Sequence, residues 1–430
     1  MAGVLVKSPI LNSRGEPFVR PWRPVRARYD AAQTTHENTR HWAMADSYSA
    51  DAANSVAVRE KLRKRSRYEY LNNAYCRGMV ETLSADVIGT GPRLQITTGQ
   101  GKEADQLIER RFAVWARQIQ FARKLRTLRR ARCVDGEGIA LLTTKKRPAT
   151  PVTLNLRPVE AERMTTPDME LSSNAIDGML LDAEGEPTAY HILRQHPGDS
   201  TYIGTFVDDY DTVPAGEVVH LYRHDRAEQH RGIPEITPAL HLFALLRRYT
   251  LATVLTAEIA AEISAVLKTT HPELSGYEFD ASGDSENEPS SYTTFDVFDI
   301  ERGAILTLPS GTEIQQFKPE HPPQRYVEFK REILAEAFAA VVMPYGVGAN
   351  DSSDYNFASG KLDRMTYSRV VGIDRSDIGV EALWPIFVSW WREARRVWLE
   401  FGDLPPLDEW SIQWFWDGVE DIDPAKGAQK

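Results

Sequence analysis

The sequence predicts an α+β protein, on three observations. Apolar residues recur at helical spacing over the first third of the chain. Short apolar runs separated by turn dipeptides fill the middle. A stretch from Ala239 to Thr270 then carries neither Gly nor Pro. The first helical signal starts near Asp46, where Val56, Val58, Leu62, Tyr68, Leu71, Met79 and Leu83 recur with charges between them. Gly89, Gly91 and Pro92 break it and turn the chain into a strand within 87–96. Further helices are expected over Ala104–Gln118 and Arg123–Cys133. Strands follow at 138–144, 152–159, 189–195 and 218–223, set off by Asp135-Gly136, Pro197-Gly198 and Pro214-Ala215-Gly216.

The Gly- and Pro-free stretch predicts one helix of ~32 residues, or ~48 Å at 1.5 Å per residue. Ile233-Pro234-Glu235 places a proline near its first turn, where a missing N–H costs nothing. Residues 271–323 then change character, with 11 acids against Arg302 and Lys318. They read as a small β insertion with acidic loops, holding a strand pair around 305–317. A second helix is expected over Gln324–Met343, ended by Pro344-Tyr345-Gly346, and a polar loop follows at 347–357. A third helix starts near Ala358, capped by Ser353 or Asn356, with a break near Gly372. A last helix, Gly379–Phe401, sets Trp384, Phe387, Trp391 and Trp398 on one stripe, which reads as packing surface rather than a base-stacking platform.

Composition narrows the function. The chain has 430 residues and a formal net charge of −10, which argues against a simple nucleic-acid coat. Two cysteines, Cys76 and Cys133, cannot build a disulfide framework or a cysteine zinc site, and suggest a reducing cell. The most apolar helical stretches carry Glu258, Glu262 and Glu336, so neither offers the roughly 18 uncharged residues of a spanning helix. No membrane partner is expected.

Catalytic motifs are weak. Gly360-Lys361 continues into Leu362, and the first glycine of a phosphate loop would fall on Tyr355. His36-Glu37 and His41 have the wrong spacing for a zinc helix. Asp135 and Glu137 could form a carboxylate pair, but Asp-Gly also serves turn geometry. No catalytic residue, metal site or cofactor is expected. Two basic runs remain, 59–67 and 123–132, each with six bases. They fit contact with DNA or with acidic neighbours, and equally a solvated helix face or salt bridges between subunits.

The order of features resembles the lambda family of phage portal proteins. The likeness rests on Tyr29–Ala32, the Arg63–Arg67 stretch, Asn72-Asn73, Val87 with Gly89 and Gly91, the loop 346–365, and Trp416, Asp417, Ile422, Asp423 and Pro424. It spans about residues 26–425. In the loop the family's Asn-Tyr-Ser-Ser-type order is locally changed to Tyr355-Asn356-Phe357-Ala358-Ser359.

The resemblance implies a portal fold in a ring homo-oligomer of twelve subunits at one vertex of a phage head. By that likeness, residues 1–45 are an extended arm and 46–232 an α+β wing. Residues 233–270 and 324–345 are the two stem helices, enclosing a clip at 271–323. Residues 346–357 form the tunnel loop, and 358–430 the C-terminal wing helices with a short or truncated crown. It implies a channel for genomic double-stranded DNA, packaged by the terminase large subunit and later ejected. Capsid or scaffold protein and a neck protein are further partners. The location is the virion, and the host cytoplasm during assembly. Candidate channel residues are Arg325, Lys330, Arg331, Val347, Asn350, Asp351, Ser352, Ser353 and Asp354. Candidate clip contacts to terminase or neck are Glu278, Asp280, Asp284, Glu286 and Glu288. The alternatives are a minor head protein beside the portal and an enzyme subunit of the packaging machine.

Overall fold

Helix α1 is Ala50–Ala53, α2 Val56–Asn72 and α3 Ala74–Ile88. The structure, a computed structural model, describes residues 36, 39–166, 175–199, 209–262, 266–269, 312–315, 326–353, 356–402 and 404–418. Two units divide the chain, Met1–Ser49 and Ala50–Lys430, and every named element lies in the second. Asn73 separates α2 from α3. Its side chain accepts from the N–H groups of Tyr75 (3.1 Å) and Cys76 (3.2 Å), satisfying donors that the first turn of α3 leaves open. Its amide also donates to the Phe243 carbonyl at 3.3 Å, which ties this corner to a helix 170 residues further on.

Strand β1 (Arg93–Thr97) follows, then α4 (Lys102–Gln118) and α5 (Phe121–Asp135). β2 (Glu137–Thr144) pairs antiparallel with both β3 (Leu154–Val159) and β8 (Val218–Tyr222), giving the sheet order β3-β2-β8. Between β3 and β8 lies an antiparallel meander of β4 (Ala175–Ile176), β5 (Met179–Leu181), β6 (Pro187–Leu193) and β7 (Tyr210–Pro214).

Helix α6 is Leu240–Glu262. The uninterrupted helix expected to Thr270 therefore stops short, and Val266–Thr269 is strand β9. β9 pairs antiparallel with β10 (Thr312–Gln315), Val266 opposite Gln315 and Thr269 opposite Thr312. The strand pair expected within 305–317 thus takes one strand from there and its partner from the end of the long helical stretch. Absence of Gly and Pro permits a helix but does not enforce one, and a ladder partner supplied from elsewhere in the chain wins.

Helix α7 is Tyr326–Ala339, α8 Tyr345–Gly348 and α9 Phe357–Ile378. Asn356 caps α9 by a reciprocal pair of bonds. Its side chain accepts from the Ser359 N–H at 2.8 Å, and the Ser359 hydroxyl faces the Asn356 N–H at 3.2 Å. Asn356→Ala is expected to cost about 1 kcal/mol in urea unfolding, with Asn356→Asp close to wild type.

Gly372 does not break α9. The irregularity falls at Gly379–Leu383, which is π-helical and leads directly into α10 (Trp384–Val397). Pro385 accounts for it: a proline there has no N–H for the carbonyl four residues back, and its ring crowds that carbonyl, so the turn widens. Strand β11 (Ser411–Phe415) closes the chain by pairing with β1, Arg93 opposite Phe415.

The main core gathers α3, α4, α5, α10 and the β1–β11 ribbon around aromatic side chains. Phe112 packs edge-on to Trp390 with centroids 5.2 Å apart, and lies 5.2 Å from Trp115. The expected stripe is partly right. Phe387 and Trp391 are buried, whereas Trp384 is 44% exposed, and the fully buried tryptophan of this helix is Trp390. Each such ring pair contributes on the order of 0.5–1.5 kcal/mol beyond the area it buries.

Candidate functional site

Helices α6 and α7 pack as a pair and carry the candidate channel residues of α7. Tyr249 stacks near Tyr326 and Phe329, with centroids 5.6 and 5.3 Å apart, and the Tyr326 hydroxyl donates to Thr250 Oγ1 at 3.3 Å. The Lys330 ammonium lies 5.0 Å from the Tyr75 ring centre and 5.7 Å from that of Tyr326. The Arg331 guanidinium lies 5.0 Å over Tyr345. Both cations thus rest on aromatic faces, where the ring quadrupole attracts them.

The polar loop leaves α8 through Val347, which is partly buried against the core rather than projecting from it. Asn350 turns in the left-handed region, φ 53°, which Asn tolerates better than most residues. The Asp351 N–H donates to the Gly346 carbonyl at 3.1 Å. The Asp351 carboxylate accepts from the Ser353 N–H at 3.0 Å and from the Ser353 hydroxyl, and these bonds hold its pKa below the usual carboxylate range. Asn350, Ser352 and Ser353 are exposed. Arg325, Asp354 and the five candidate clip acids lie outside the described residues.

Each basic run turns one face inward, where its buried arginines pair within the chain, while Lys61, Lys64, Arg65 and Arg123 stay exposed. On α2, Arg59 and Arg63 are buried and Arg67 is half-buried. Arg63 donates to Glu137 Oε2 at 2.9 Å and to the Asp135 carbonyl at 2.9 Å, and Arg59 pairs with Asp177. Arg67 binds Asp135 at 2.6 Å and Glu162 at 2.8 Å. Arg231, wholly buried, holds Glu137 through two bonds of 2.7 and 2.8 Å. On α5, Arg129 and Arg132 each bridge Glu235 and Asp374 at 2.6–2.9 Å.

Asp135 and Glu137 are therefore ion-pair partners in this network. Burial pushes the Glu137 carboxyl up, but Arg231 and Arg63 outweigh it and hold the group well below the usual range. A carboxyl so committed is poorly suited to passing protons. The backbone here admits no side chain. A Cβ on Gly232 would sit 2.1 Å from the Gly136 carbonyl, and one on Gly136, at φ 90°, would meet Ile233 at 2.7 Å. That approach lets the Gly232 N–H reach Glu137 Oε1 at 2.7 Å.

Two of the sequence motifs meet in space. Gly89 has φ 54°, and the Thr90 N–H after it donates to Asp417 Oδ2 at 2.7 Å. A Cβ on Gly89 would lie 2.6 Å from that same oxygen. Arg375 completes the joint with bonds to the carbonyls of Val87 (2.9 Å), Asp86 (2.8 Å) and Asp417 (3.2 Å). The Val-x-Gly-x-Gly turn and the Trp-Asp pair are one structural device, and their purpose is to seat the tail on the helical body.

The described residues thus form an ion-paired α+β body on which helices α6 and α7 pack against each other. Among the described residues, no helix is long and apolar enough to cross a membrane. The family model described as phage portal protein, lambda family, matches residues 35–373. The chain belongs to that family, a structural family of the phage particle. A probable portal protein of Halomonas phage phiHAP-1 is 22% identical over 403 residues, covering 86% of this chain and 73% of its own length. Among solved structures, the neck of an empty GTA particle computed with C6 symmetry aligns with TM-score 0.50 and 12% identity, over 85% of this chain and 86% of that one. The neck of a native GTA particle computed with C12 symmetry aligns at TM-score 0.46 and 12% identity, over 84% of this chain and 85% of that one. The first of these likenesses shows a shared fold.

Proposed function

We propose that the chain assembles as a ring at one capsid vertex, through which genomic double-stranded DNA is packaged by a terminase and later ejected, and on which head and tail join. The observation that carries this reading is membership of the lambda portal family over 35–373. The neck structure that shares its fold was computed with sixfold symmetry, which a ring of twelve satisfies. In this reading α6 and α7 belong to the stem (233–270 and 324–345), residues 271–323 form the clip, and 346–357 the tunnel loop. The acids Glu278, Asp280, Asp284, Glu286 and Glu288 face the terminase and then the neck protein.

The physics of such a channel favours a wall that does not hold the duplex. A chain of net charge −10 repels phosphate overall. A few cations such as Arg325, Lys330 and Arg331, repeated around a ring, guide the duplex without arresting it, because each contact is weak and salt-sensitive. Val347, Asn350, Asp351, Ser352, Ser353 and Asp354 supply the mostly polar loop at the narrow point.

Electron microscopy of the purified protein, with its mass in solution, tests the reading. The expected result is a ring with a duplex-wide hole and a mass near twelve times 48.5 kDa. A chain that stays monomeric at all concentrations, with or without scaffold protein, moves the assignment to a minor head protein. ATP hydrolysis by the purified chain would instead favour an enzyme of the packaging machine.

A further inference from the structure

The β2–β3 hairpin and the start of α5 gather cations that the network above does not neutralise. Asn155 on β3 is their meeting point. Its Oδ1 accepts from Lys124 Nζ at 2.8 Å and from Arg147 Nη2 at 2.7 Å. Its Nδ2 donates to Thr143 Oγ1 at 3.1 Å, which fixes the amide with its oxygen toward the cations. Arg147 also donates to the Lys145 carbonyl at 3.2 Å, so the hairpin end is folded over this point. Arg157 lies two residues along β3, on the same face as Asn155.

No ion pair joins Lys124, Lys145, Lys146, Arg147 or Arg157 to a carboxylate among the described residues. Glu393, which reaches this end of β3, is taken up by the Thr153 N–H and hydroxyl and the Leu154 N–H, at 2.6–2.9 Å. The first turn of α5 carries no acid, and its N-cap, Gln120, makes no side-chain cap bond, so the positive end of the helix dipole adds to the same field. Two half-buried cations therefore share one neutral amide oxygen, whereas the fully buried arginines among the described residues, Arg59, Arg63, Arg129, Arg132 and Arg231, are each matched by an acid. Burial, Arg147 and Lys145 lower the Lys124 ammonium to about 8. An anion would relieve that strain, and the amide oxygen is a weak substitute for one.

We propose that Lys124, Arg147 and Asn155, flanked by Lys145 and Arg157, form a binding site for a phosphate-class oxyanion. A phosphoryl group offers several acceptor oxygens on one centre, so the lysine and arginine can each bind a separate oxygen, the arginine in its fork geometry. The Asn155 amide then turns its N–H donors to the anion or retains Thr143. The source is either a free phosphate or a nucleic-acid phosphodiester, and the shared chemistry is the same. The site uses one chain's own residues and does not depend on ring assembly.

Isothermal titration of the full chain with inorganic pyrophosphate at low salt tests it, with a short fluorescent DNA duplex as the parallel arm. Saturable pyrophosphate binding is expected. Proton uptake should accompany it near pH 8, because the bound anion raises Lys124. Lys124→Met and Arg147→Gln should each weaken binding at least tenfold, and Lys124→Met should abolish the proton uptake. Lys102→Met, equal in charge change but on another helix, should do neither. Asn155→Asp guards against simple misfolding: it places a carboxylate between the two cations, and should raise the melting temperature while removing pyrophosphate binding. Duplex binding with the same variant pattern identifies the phosphodiester as a ligand, and pyrophosphate binding alone identifies free phosphate. No saturable binding, binding that survives Asn155→Asp, or preference for an acidic peptide over pyrophosphate overturns the proposal.

Discussion

Glu137→Gln is expected to cost about 3–5 kcal/mol, the usual penalty for removing one partner of a buried ion pair. Glu137 lies at the centre of four bonds, from Arg63, both ends of the Arg231 guanidinium fork, and the Gly232 N–H. The amide keeps the shape but removes the charge, and one of its two termini can no longer accept. Arg231 has 0% exposure and no route to water. The penalty is therefore mostly that of an under-compensated guanidinium, left to share Asp177 with Arg59, rather than the lost worth of the pair itself. The pH dependence has a definite sign. The Glu137 carboxyl is depressed in the folded chain, so its contribution is complete above the unfolded value of about 4.3 and is lost as pH falls through the folded one. Urea unfolding of wild type and variant should differ by a constant amount above about pH 5, and the gap should close on further acidification. A gap that persists unchanged to strongly acid pH would mean that Glu137 acts by shape alone.

The same network marks where sequence reading stopped. The existence of α4, α5 and α10, and of strands β2, β3, β6 and β8, follows from periodicity and turn residues, because those signals are local. Arg59, Arg63 and Arg67 repeat at every fourth residue, so they share one face of α2, while Lys61, Lys64 and Arg65 lie off it and are exposed. The four-residue repeat of Arg59, Arg63 and Arg67 is a usable sign that one face turns inward, where a planar fork pairs better than an ammonium. The partners carried no such sign. Asp374 meets Arg129 across 245 residues, and Asp177 meets Arg59 across 118. The end of α6 was illegible for a similar reason, since β9 exists only because β10 pairs with it. The Lys124–Asn155–Arg147 cluster joins a helix to a hairpin, and an asparagine on a strand announces nothing by itself. The α9 cap, by contrast, was local and readable, with Asn356 among the two residues expected to start it.

Leu251→Asp together with Val254→Asp is expected to dissolve the proposed ring while leaving the subunit folded. On α6, Leu251, Val254 and Leu255 are 58%, 49% and 56% exposed. Their spacing of three and four places them on one helix face, and the face is apolar. A single exposed leucine needs no explanation, but three adjoining ones on a proposed stem helix need a cover. In a ring that cover is the next subunit. Each side chain that becomes buried there contributes about 1–2 kcal/mol, and a carboxylate in its place adds a desolvation cost. A loss of about 2 kcal/mol per interface weakens each subunit contact roughly 30-fold. Closure multiplies the effect, because every interface of the ring carries the same lesion. The subunit itself should lose less than about 0.5 kcal/mol, since the positions face solvent within one chain. Native mass spectrometry should find 48.5 kDa monomer for the variant and the proposed ring for wild type, with circular dichroism unchanged. A variant that still closes at the wild-type mass would place the subunit interface on another face of the stem, and would leave the α6 stripe to be covered by something other than a neighbouring copy.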